Sequence, residues 1–186
     1  MELLYIREIL EGNTSRFAYF VETYKDMAYS VAFSVVNHKE EAEDVVQDAF
    51  VKAYQSLHTF RKEAKFSTWF YRIVVNTALT RMKRNQKFSD MANYEVSDAL
   101  IENTAEAYQQ LALAEQRKYI DLALAELNNE DRLTLTLYYL HECTMEEVSE
   151  ISGIPTENLK MKMHRARKKM YFVLSKLLNS DSKSLM

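Results

Sequence analysis

The segment NHKEEAEDVVQDAFVKAYQSLHTFRKEAKFSTWFYRIVVNTALTRMKR, from Asn37 to Arg84, decides how the rest of the chain is organised. Its apolar residues recur at helical spacing in two runs, which predicts two amphipathic helices joined by a short loop. The first run comprises Val45, Val46, Ala49, Phe50, Ala53 and Leu57, and the second comprises Trp69, Ile73 and Thr77. Asn37 and Glu40 have the spacing of a capping box, which predicts that the first helix begins there.

The polar faces of these two helices carry charges of opposite sign. Glu40, Asp44 and Asp48 follow one another at i, i+4 spacing, where like charges repel unless a base compensates them. Within that helix only Lys52, one turn past Asp48, does so. After the loop a single acid, Glu63, stands among the bases Arg61, Lys62, Lys65, Arg72, Arg81, Lys83, Arg84 and Lys87, with Phe60, Phe66, Trp69, Phe70 and Tyr71 interleaved. This arrangement predicts two partners, one basic and one polyanionic.

The acidic run from Glu40 to Asp48 admits three interpretations. It can be a protein-docking face or simply a solvated face. A metal site is the least supported, because the run lacks the second carboxylate-histidine element that such sites use. His38, His58 and His141 have no ligand spacing with one another or with Cys143, and we predict them at the surface.

Two motifs in this segment carry a resemblance to a known family. The acidic motif Glu41-Ala-Glu-Asp-Val-Val-Gln-Asp-Ala-Phe50 and the tryptophan motif Phe66-Ser-Thr-Trp-Phe-Tyr-Arg-Ile73, with Asn76 after it, resemble region 2 of the extracytoplasmic-function (group IV) sigma factors of bacterial RNA polymerase. The resemblance covers the whole segment. One departure is Thr80, which stands where the family usually has Asp.

Composition indicates an all-helical protein. Two glycines and one proline in 186 residues are too few for the closely spaced turns of a sheet. Cys143 is the single cysteine, which excludes a disulfide framework and a cysteine-based zinc site. No apolar run approaches the ~18 residues of a membrane span, and Glu2 is unlike the basic start of a signal peptide. We therefore expect a cytoplasmic protein without direct membrane insertion.

The chain divides into three parts by periodicity. Residues 1–87 are predicted to form one helical domain, residues 88–108 a polar linker, and residues 109–186 a second helical domain. The net charge is only −3, but it is segregated along the chain. Asp90 to Glu150 contains 14 acids and 3 bases, whereas Thr156 to Lys176 contains 7 bases and 1 acid. The basic end of the second domain is thus a candidate for binding nucleic acid.

The segment TMEEVSEISGIPTENLKMKMHRARKKM, from Thr144 to Met170, has the pattern of a helix-turn-helix. Thr144 and Glu147 form a predicted capping box, and Gly153 can supply the left-handed residue that ends the first helix. The inner face of the second helix would carry Leu159, Met163, Ala166, Met170, Val173 and Leu177. Its outer face is basic, as expected for a helix that enters the major groove.

This segment is also similar to region 4 of the same sigma family. Arg132, the stretch Glu146-Glu147-Val148 and the stretch His164-Arg165-Ala166-Arg167 stand at matching positions. Asn128 replaces the usual proline after Leu127, and Met161 stands where a small hydroxyl residue is typical. A thioether cannot make the hydrogen bonds of a serine.

The resemblance implies a two-domain sigma factor with no catalytic site and no cofactor. Its partners would be core RNA polymerase, double-stranded and melted promoter DNA, and an anti-sigma factor. The implied polymerase-binding residues are Glu40, Glu43, Asp44, Gln47 and Asp48. The implied nucleic-acid-binding residues are Phe60, Arg61, Lys62, Lys65, Arg72, Asn76, Arg81, Lys83 and Arg84 in region 2, and Lys160, Met161, Lys162, His164, Arg165, Arg167 and Lys168 in region 4.

Three other classes of protein fit the sequence less well. A conventional helix-turn-helix regulator would need a dimer interface or an effector pocket in its first 90 residues, and the pattern there indicates neither. A helical adaptor that binds only proteins would leave the basic face from Lys160 to Lys169 unexplained. An enzyme is the weakest alternative, because the sequence contains no nucleophile-base pair, phosphate loop or dinucleotide fingerprint.

Overall fold

The computed structural model describes residues 1–61, 64–88 and 119–184. Every regular element within these ranges is helical, which confirms the predicted fold class. The predicted linker, 88–108, lies outside the described residues except for its first position, so its boundaries stay a prediction.

The N-terminal part contains four α-helices: α1 (Glu2–Leu10), α2 (Phe17–Val36), α3 (Lys39–Ser56) and α4 (Phe66–Phe88). Short 3-10 turns lie at Thr14–Arg16 and Leu57–Thr59. Helices α2, α3 and α4 pack against one another around a core in which Val45 and Val74 are fully buried. The predicted apolar face is confirmed, since Val46 is half-buried against the core and its other members are buried: Val45, Ala49, Phe50, Ala53 and Leu57.

Aromatic rings fill the centre of this bundle. The ring centroid of Phe66 lies 4.4 Å from that of Phe20, and the ring centroid of Phe70 lies 4.6 Å from that of Phe50. Phe66, Phe70 and Tyr71 are each at most 2% exposed. Three of the five aromatic residues interleaved with the α4 bases are therefore core residues. Burial of such a large apolar ring stabilises the fold more than exposure at the surface would.

The start of α3 differs from the sequence prediction. Asn37 adopts a left-handed conformation (φ 54°) and ends α2, with its N–H donating to the Phe33 carbonyl oxygen at 2.9 Å. His38 is extended and precedes α3 without a side-chain cap bond. The predicted capping box of Asn37 and Glu40 is wrong, because asparagine tolerates the left-handed region and serves the end of one helix instead of the start of the next.

The C-terminal part begins with a helix whose described residues are 119–125 (α5). It continues with α6 (Asn129–Leu135), a π-helical segment (Thr136–Leu140), α7 (Met145–Ser152) and α8 (Thr156–Ser184). The buried guanidinium of Arg132 donates to the carbonyl oxygens of Leu124 and Leu127 at 2.9 and 2.8 Å, which joins α6 to the end of α5. Asn128 caps α6 by accepting a hydrogen bond from the Asp131 N–H at 2.9 Å.

The helix-turn-helix prediction is confirmed in its local geometry. Thr144 and Glu147 form a capping box at the start of α7, and Gly153 ends this helix with φ 74°. Leu159, Met163 and Ala166 of α8 are buried, as the predicted inner face requires. Glycine is needed at position 153 because other residues are strained at such a φ.

The two helical parts pack directly against each other. Helix α2 contacts α6, and α4 contacts α7, so that Leu137, Val148 and Ile151 share one buried core with the N-terminal bundle. His141 lies in this interface, with Nε2 at 3.2 Å from Ser30 Oγ and its ring centroid at 5.7 Å from that of Tyr71. The prediction that His141 is a surface residue is therefore wrong.

We expect acid to loosen this interface through His141. Burial lowers the pKa of the imidazole below its ordinary value of 6.5, and Nδ1 has no hydrogen-bond partner among the described residues. Protonation thus favours the unfolded or separated state, so the His141 contribution to stability is complete above about pH 6.5 and is lost as the pH falls below it. Thermal unfolding of the wild type should show a midpoint that drops between pH 7 and pH 5.

The matched pair His141→Gln and His58→Gln tests this assignment, since His58 is exposed. The His141→Gln midpoint should fall less over this pH range, while His58→Gln should follow the wild type. Parallel curves for all three proteins would contradict the role of His141.

Candidate protein and nucleic-acid interfaces

Helix α3 presents the predicted acidic face to solvent. The five candidate residues on it are all exposed: Glu40, Glu43, Asp44, Gln47 and Asp48. The opposite face of the helix is buried through Ala42, Val45 and Ala49. The core therefore fixes the orientation of α3, and the acidic side chains are accessible along more than two helical turns.

The charge compensation for this face comes from α4. Arg81 contacts Asp44 through Nη2, and its Nη1 lies 3.9 Å from Asp48. Lys52, which the sequence suggested for this role, instead donates from Nζ to Thr77 Oγ1 at 3.1 Å. Such partly exposed ion pairs contribute only about 0.2–1 kcal/mol each, so a binding partner can replace them.

A cleft of about 650 Å³ lies between the end of α3, the loop before α4 and the first turns of α4. Its lining residues are Ser56, Thr59, Arg61, Ala64, Trp69, Arg72, Ile73, Asn76 and Glu150. Arg61, Arg72 and Asn76 were predicted to bind nucleic acid, and the structure brings them to one site. Two cationic side chains beside an indole ring are suited to a polyanion that carries flat bases.

Two other candidates from the loop lie at the edge of this region. Phe60 is half-buried, and its ring centroid lies 5.4 Å from that of Trp69 and 5.8 Å from that of Phe66. Lys65 is exposed but pairs with Glu147 of α7, Nζ to Oε1 at 2.9 Å. Lys62 lies outside the described residues.

The exposed face of α4 extends the basic surface beyond the cleft. Arg72, Asn76 and Lys83 lie on it at helical spacing, and Arg84 is exposed beside them. Thr80, on the same face, donates its hydroxyl to the Asn76 carbonyl oxygen at 2.7 Å, a bond within the helix. Arg81 differs from the other candidates because it faces α3 and is held by the two aspartates there.

The outer face of α8 carries the second set of predicted residues. Those that are exposed are Lys160, Met161, His164, Arg165, Arg167 and Lys168. Lys162 forms an ion pair with Glu130 of α6, and Lys169 Nζ lies 2.6 Å from Asp131 Oδ2. The first four of these residues lie within six consecutive positions, 160–165, in the N-terminal half of α8. This is the end that a recognition helix directs into a groove.

Several hydrogen bonds hold the carboxylate of Glu147. Burial raises its pKa, but hydrogen bonds from the Thr144 N–H at 2.8 Å and from Lys65 outweigh this effect, and the pKa lies below its ordinary value. The same ion pair raises the pKa of Lys65. Both side chains are therefore charged at neutral pH.

Sequence reasoning missed part of the cleft. The apolar run predicts Trp69 on the inner face of its helix, yet the half-buried ring also lines the cleft. Ser56 and Thr59 belong to it because a 3-10 turn follows α3 and directs the chain around the opening. Glu150 is far away in the sequence, and no local pattern connects it with the loop before α4.

The described residues contain neither a grouped set of metal-ligating side chains nor a membrane-spanning helix. Across residues 1–61, 64–88 and 119–184, no three His, Cys, Asp or Glu side chains are grouped as a metal site would require. Over the same part of the chain, no helix is both long enough and apolar enough to cross a bilayer.

Comparisons with known proteins match both parts of the chain. The family model for sigma-70 region 2 matches residues 20–88, and the model for sigma-70 region 4 matches residues 117–170. The ECF RNA polymerase sigma-E factor of Escherichia coli K12 is 32% identical over 171 residues, covering 87% of this chain and 88% of that protein. The ECF RNA polymerase sigma factor SigW of Bacillus subtilis is 29% identical over 174 residues, covering 87% and 90%.

Solved structures with the same fold extend over nearly the whole chain. The sigma factor RpoE of Bartonella quintana, in a complex with the anti-sigma factor NepR, superposes with a TM-score of 0.69 at 21% identity, covering 86% of this chain and 96% of that one. CnrH, in a complex with the cytosolic domain of CnrY, superposes with a TM-score of 0.62 at 22% identity, covering 96% and 97%.

Proposed function

This chain belongs to the extracytoplasmic-function family of RNA polymerase sigma factors, and we propose that it binds core RNA polymerase and directs promoter-specific initiation of transcription. The observation that carries the proposal is the presence in one chain of an exposed acidic helix, a basic cleft with an indole ring, and a capped helix-turn-helix with a basic outer face. The family favours this function over that of a conventional helix-turn-helix regulator.

Each part of the chain has a role in this proposal. The domain formed by residues 1–87 docks on polymerase through α3, and it recognises and opens the minus-ten element through the loop before α4 and through α4 itself. Residues 88–108 link it to the domain formed by residues 109–186, which recognises the minus-thirty-five element through α8. The chain supplies binding surfaces without a catalytic site or cofactor of its own, and it acts in the cytoplasm, where the polymerase is.

An anti-sigma factor is the further partner we propose. The fold of this chain matches that of the sigma factor RpoE, whose structure contains the anti-sigma factor NepR, and that of CnrH, whose structure contains the cytosolic domain of CnrY. The exposed surfaces on α3 and α8 would be accessible to such a protein in the absence of polymerase.

The acidic face is tested by reversing charges on α3. Glu43→Lys/Asp48→Lys should abolish copurification with core polymerase, because placing a like charge against a desolvated basic partner costs at least the ~2–5 kcal/mol of losing the pair. The control Glu22→Lys/Asp26→Lys makes the same change of net charge on exposed positions of α2 and should still copurify. Equal retention of both variants would contradict docking through α3.

The recognition helix is tested by comparing two exposed bases of α8. Arg165→Ala should relax sequence preference at one or two base pairs of the upstream element, at a cost of about 1–3 kcal/mol. Lys168→Ala should weaken binding to all sequences alike and reduce the salt dependence. Holoenzyme binding to a set of single-base promoter variants distinguishes these outcomes, and a uniform loss from both substitutions would refute the division of roles.

The cleft is tested by removing its two arginines. A base leaving the stack costs a few kcal/mol, which a pocket with stacking and charged groups can offset. Arg61→Ala/Arg72→Ala should leave polymerase binding and the closed promoter complex intact but prevent strand opening, measured by the permanganate reactivity of unpaired thymines. The control Arg7→Ala/Lys25→Ala removes the same charge from α1 and α2. Normal reactivity in the cleft variant would exclude this site from melting.

A further inference from the structure

The cleft assigned to single-stranded DNA has carboxylates beside it in the free protein. Glu147 pairs with Lys65 at 2.9 Å and accepts a longer hydrogen bond from Thr68 Oγ1 at 3.4 Å. Glu150, one turn further along α7, lines the cleft together with Arg61 and Arg72. All of these acids come from the C-terminal part of the chain, and all of these bases come from the N-terminal part.

Apolar packing fixes α7 in this place. Val148 is fully buried and Ile151 is 2% exposed, and both belong to the core shared with the N-terminal bundle. Each of these residues directly follows one of the two acids, so the packing that buries Val148 and Ile151 also brings Glu147 and Glu150 to the basic surface.

These carboxylates contact or lie beside the bases to which DNA phosphates would bind. Lysine and arginine bind carboxylate and phosphate oxygens by the same charge-assisted hydrogen bonds. Glu147 offsets the charge of Lys65 and competes with a phosphate for it, and a strand entering the cleft would meet the negative charge of Glu150. The carboxylates of α7 can therefore compete with a polyanion for these bases.

We propose that α7 is an internal occupant of the single-strand-binding cleft and holds the free protein in a closed arrangement that binds melted DNA weakly. A partner that draws the C-terminal part away from α4 uncovers the cleft. The inference rests on the proposed function in assigning that cleft to single-stranded DNA. If nine-tenths of the free molecules are closed, the apparent affinity for a strand is reduced about tenfold.

The test uses the full chain and a fluorescent oligo(dT) of about 15 nucleotides, a length within the site size of a single-strand-binding domain. Glutamine keeps the capping box of α7, so Glu147→Gln/Glu150→Gln removes the two charges while preserving the helix. The control Glu146→Gln/Glu157→Gln removes the same charge from two exposed positions of the same part of the chain. Fluorescence anisotropy measures binding, and circular dichroism checks helix content.

We expect the Glu147→Gln/Glu150→Gln variant to bind the oligonucleotide about tenfold more tightly than the wild type, because it removes the two carboxylates that compete with phosphates for the bases, and the control to remain close to the wild type. Adding Arg61→Ala/Arg72→Ala to the first variant should remove the gain, which locates the binding in the cleft. Equal gains in the two glutamine variants, no gain in the first, or a gain that survives loss of both arginines would overturn the proposal.

A separate assay of initiation with core polymerase distinguishes this inference from the proposed function. If the wild type directs initiation but the first variant binds the strand no more tightly than the control, the inference fails and the proposed function stands. If the first variant shows the tenfold gain but the wild type directs no initiation, the occlusion of the cleft stands and the proposed function fails.

Discussion

The buried aromatic stripe of α4 is the interaction on which the rest of the structure depends. Phe66 and Phe70 pack against rings from α2 and α3, and Tyr71 faces His141 of the C-terminal part. Because these rings fix the rotation of α4 about its axis, Arg72 and Asn76 are directed to the cleft, and Arg81 is directed to the aspartates of α3. One helix therefore orients both candidate interfaces of the N-terminal part and the contact between the two parts.

Several candidate DNA-binding residues are paired with acids in the free protein. Arg81 contacts Asp44, Lys65 contacts Glu147, and Lys162 contacts Glu130. These pairs explain how a chain with a net charge of −3 can carry surfaces for a polyanion. Exposed pairs of this kind are worth at most about 1 kcal/mol, so phosphates can displace them once the protein is positioned on a promoter. The pairing reduces non-specific attraction to DNA without a large cost to specific binding.

Local signals in the sequence predicted the local structure well. The apolar face of α3, the capping box at Thr144 and the left-handed Gly153 depend on residues within one or two helical turns, where spacing alone determines the outcome. Asn37 shows the limit of such signals, since the same residue type favours both the start and the end of a helix. The spacing of Trp69, Ile73 and Thr77 predicted the inner face of α4, but only Thr77 is buried, and Trp69 and Ile73 are half-buried at the edge of the core.

The contacts between the two parts of the chain could not be predicted in the same way. His141 meets Ser30 across 111 positions, and Lys65 meets Glu147 across more than 80. Such pairs depend on how two folded units dock, and no periodicity within either unit encodes that docking. The exposed acids on α3 and bases on α8 could be predicted from the sequence, because they lie at helix positions outside the apolar face that forms the core. Glu150 at the cleft was missed because its place depends on the docking of α7.

Initiation reconstituted from purified parts tests the central claim most directly. Genomic DNA of the source organism is transcribed by sigma-free core polymerase with and without this chain, and the RNA 5′ ends are sequenced. The account predicts that the chain adds start sites that share two upstream sequence elements at a constant spacing, and that scrambling either element abolishes the start. The same distribution of 5′ ends with and without the chain would contradict it.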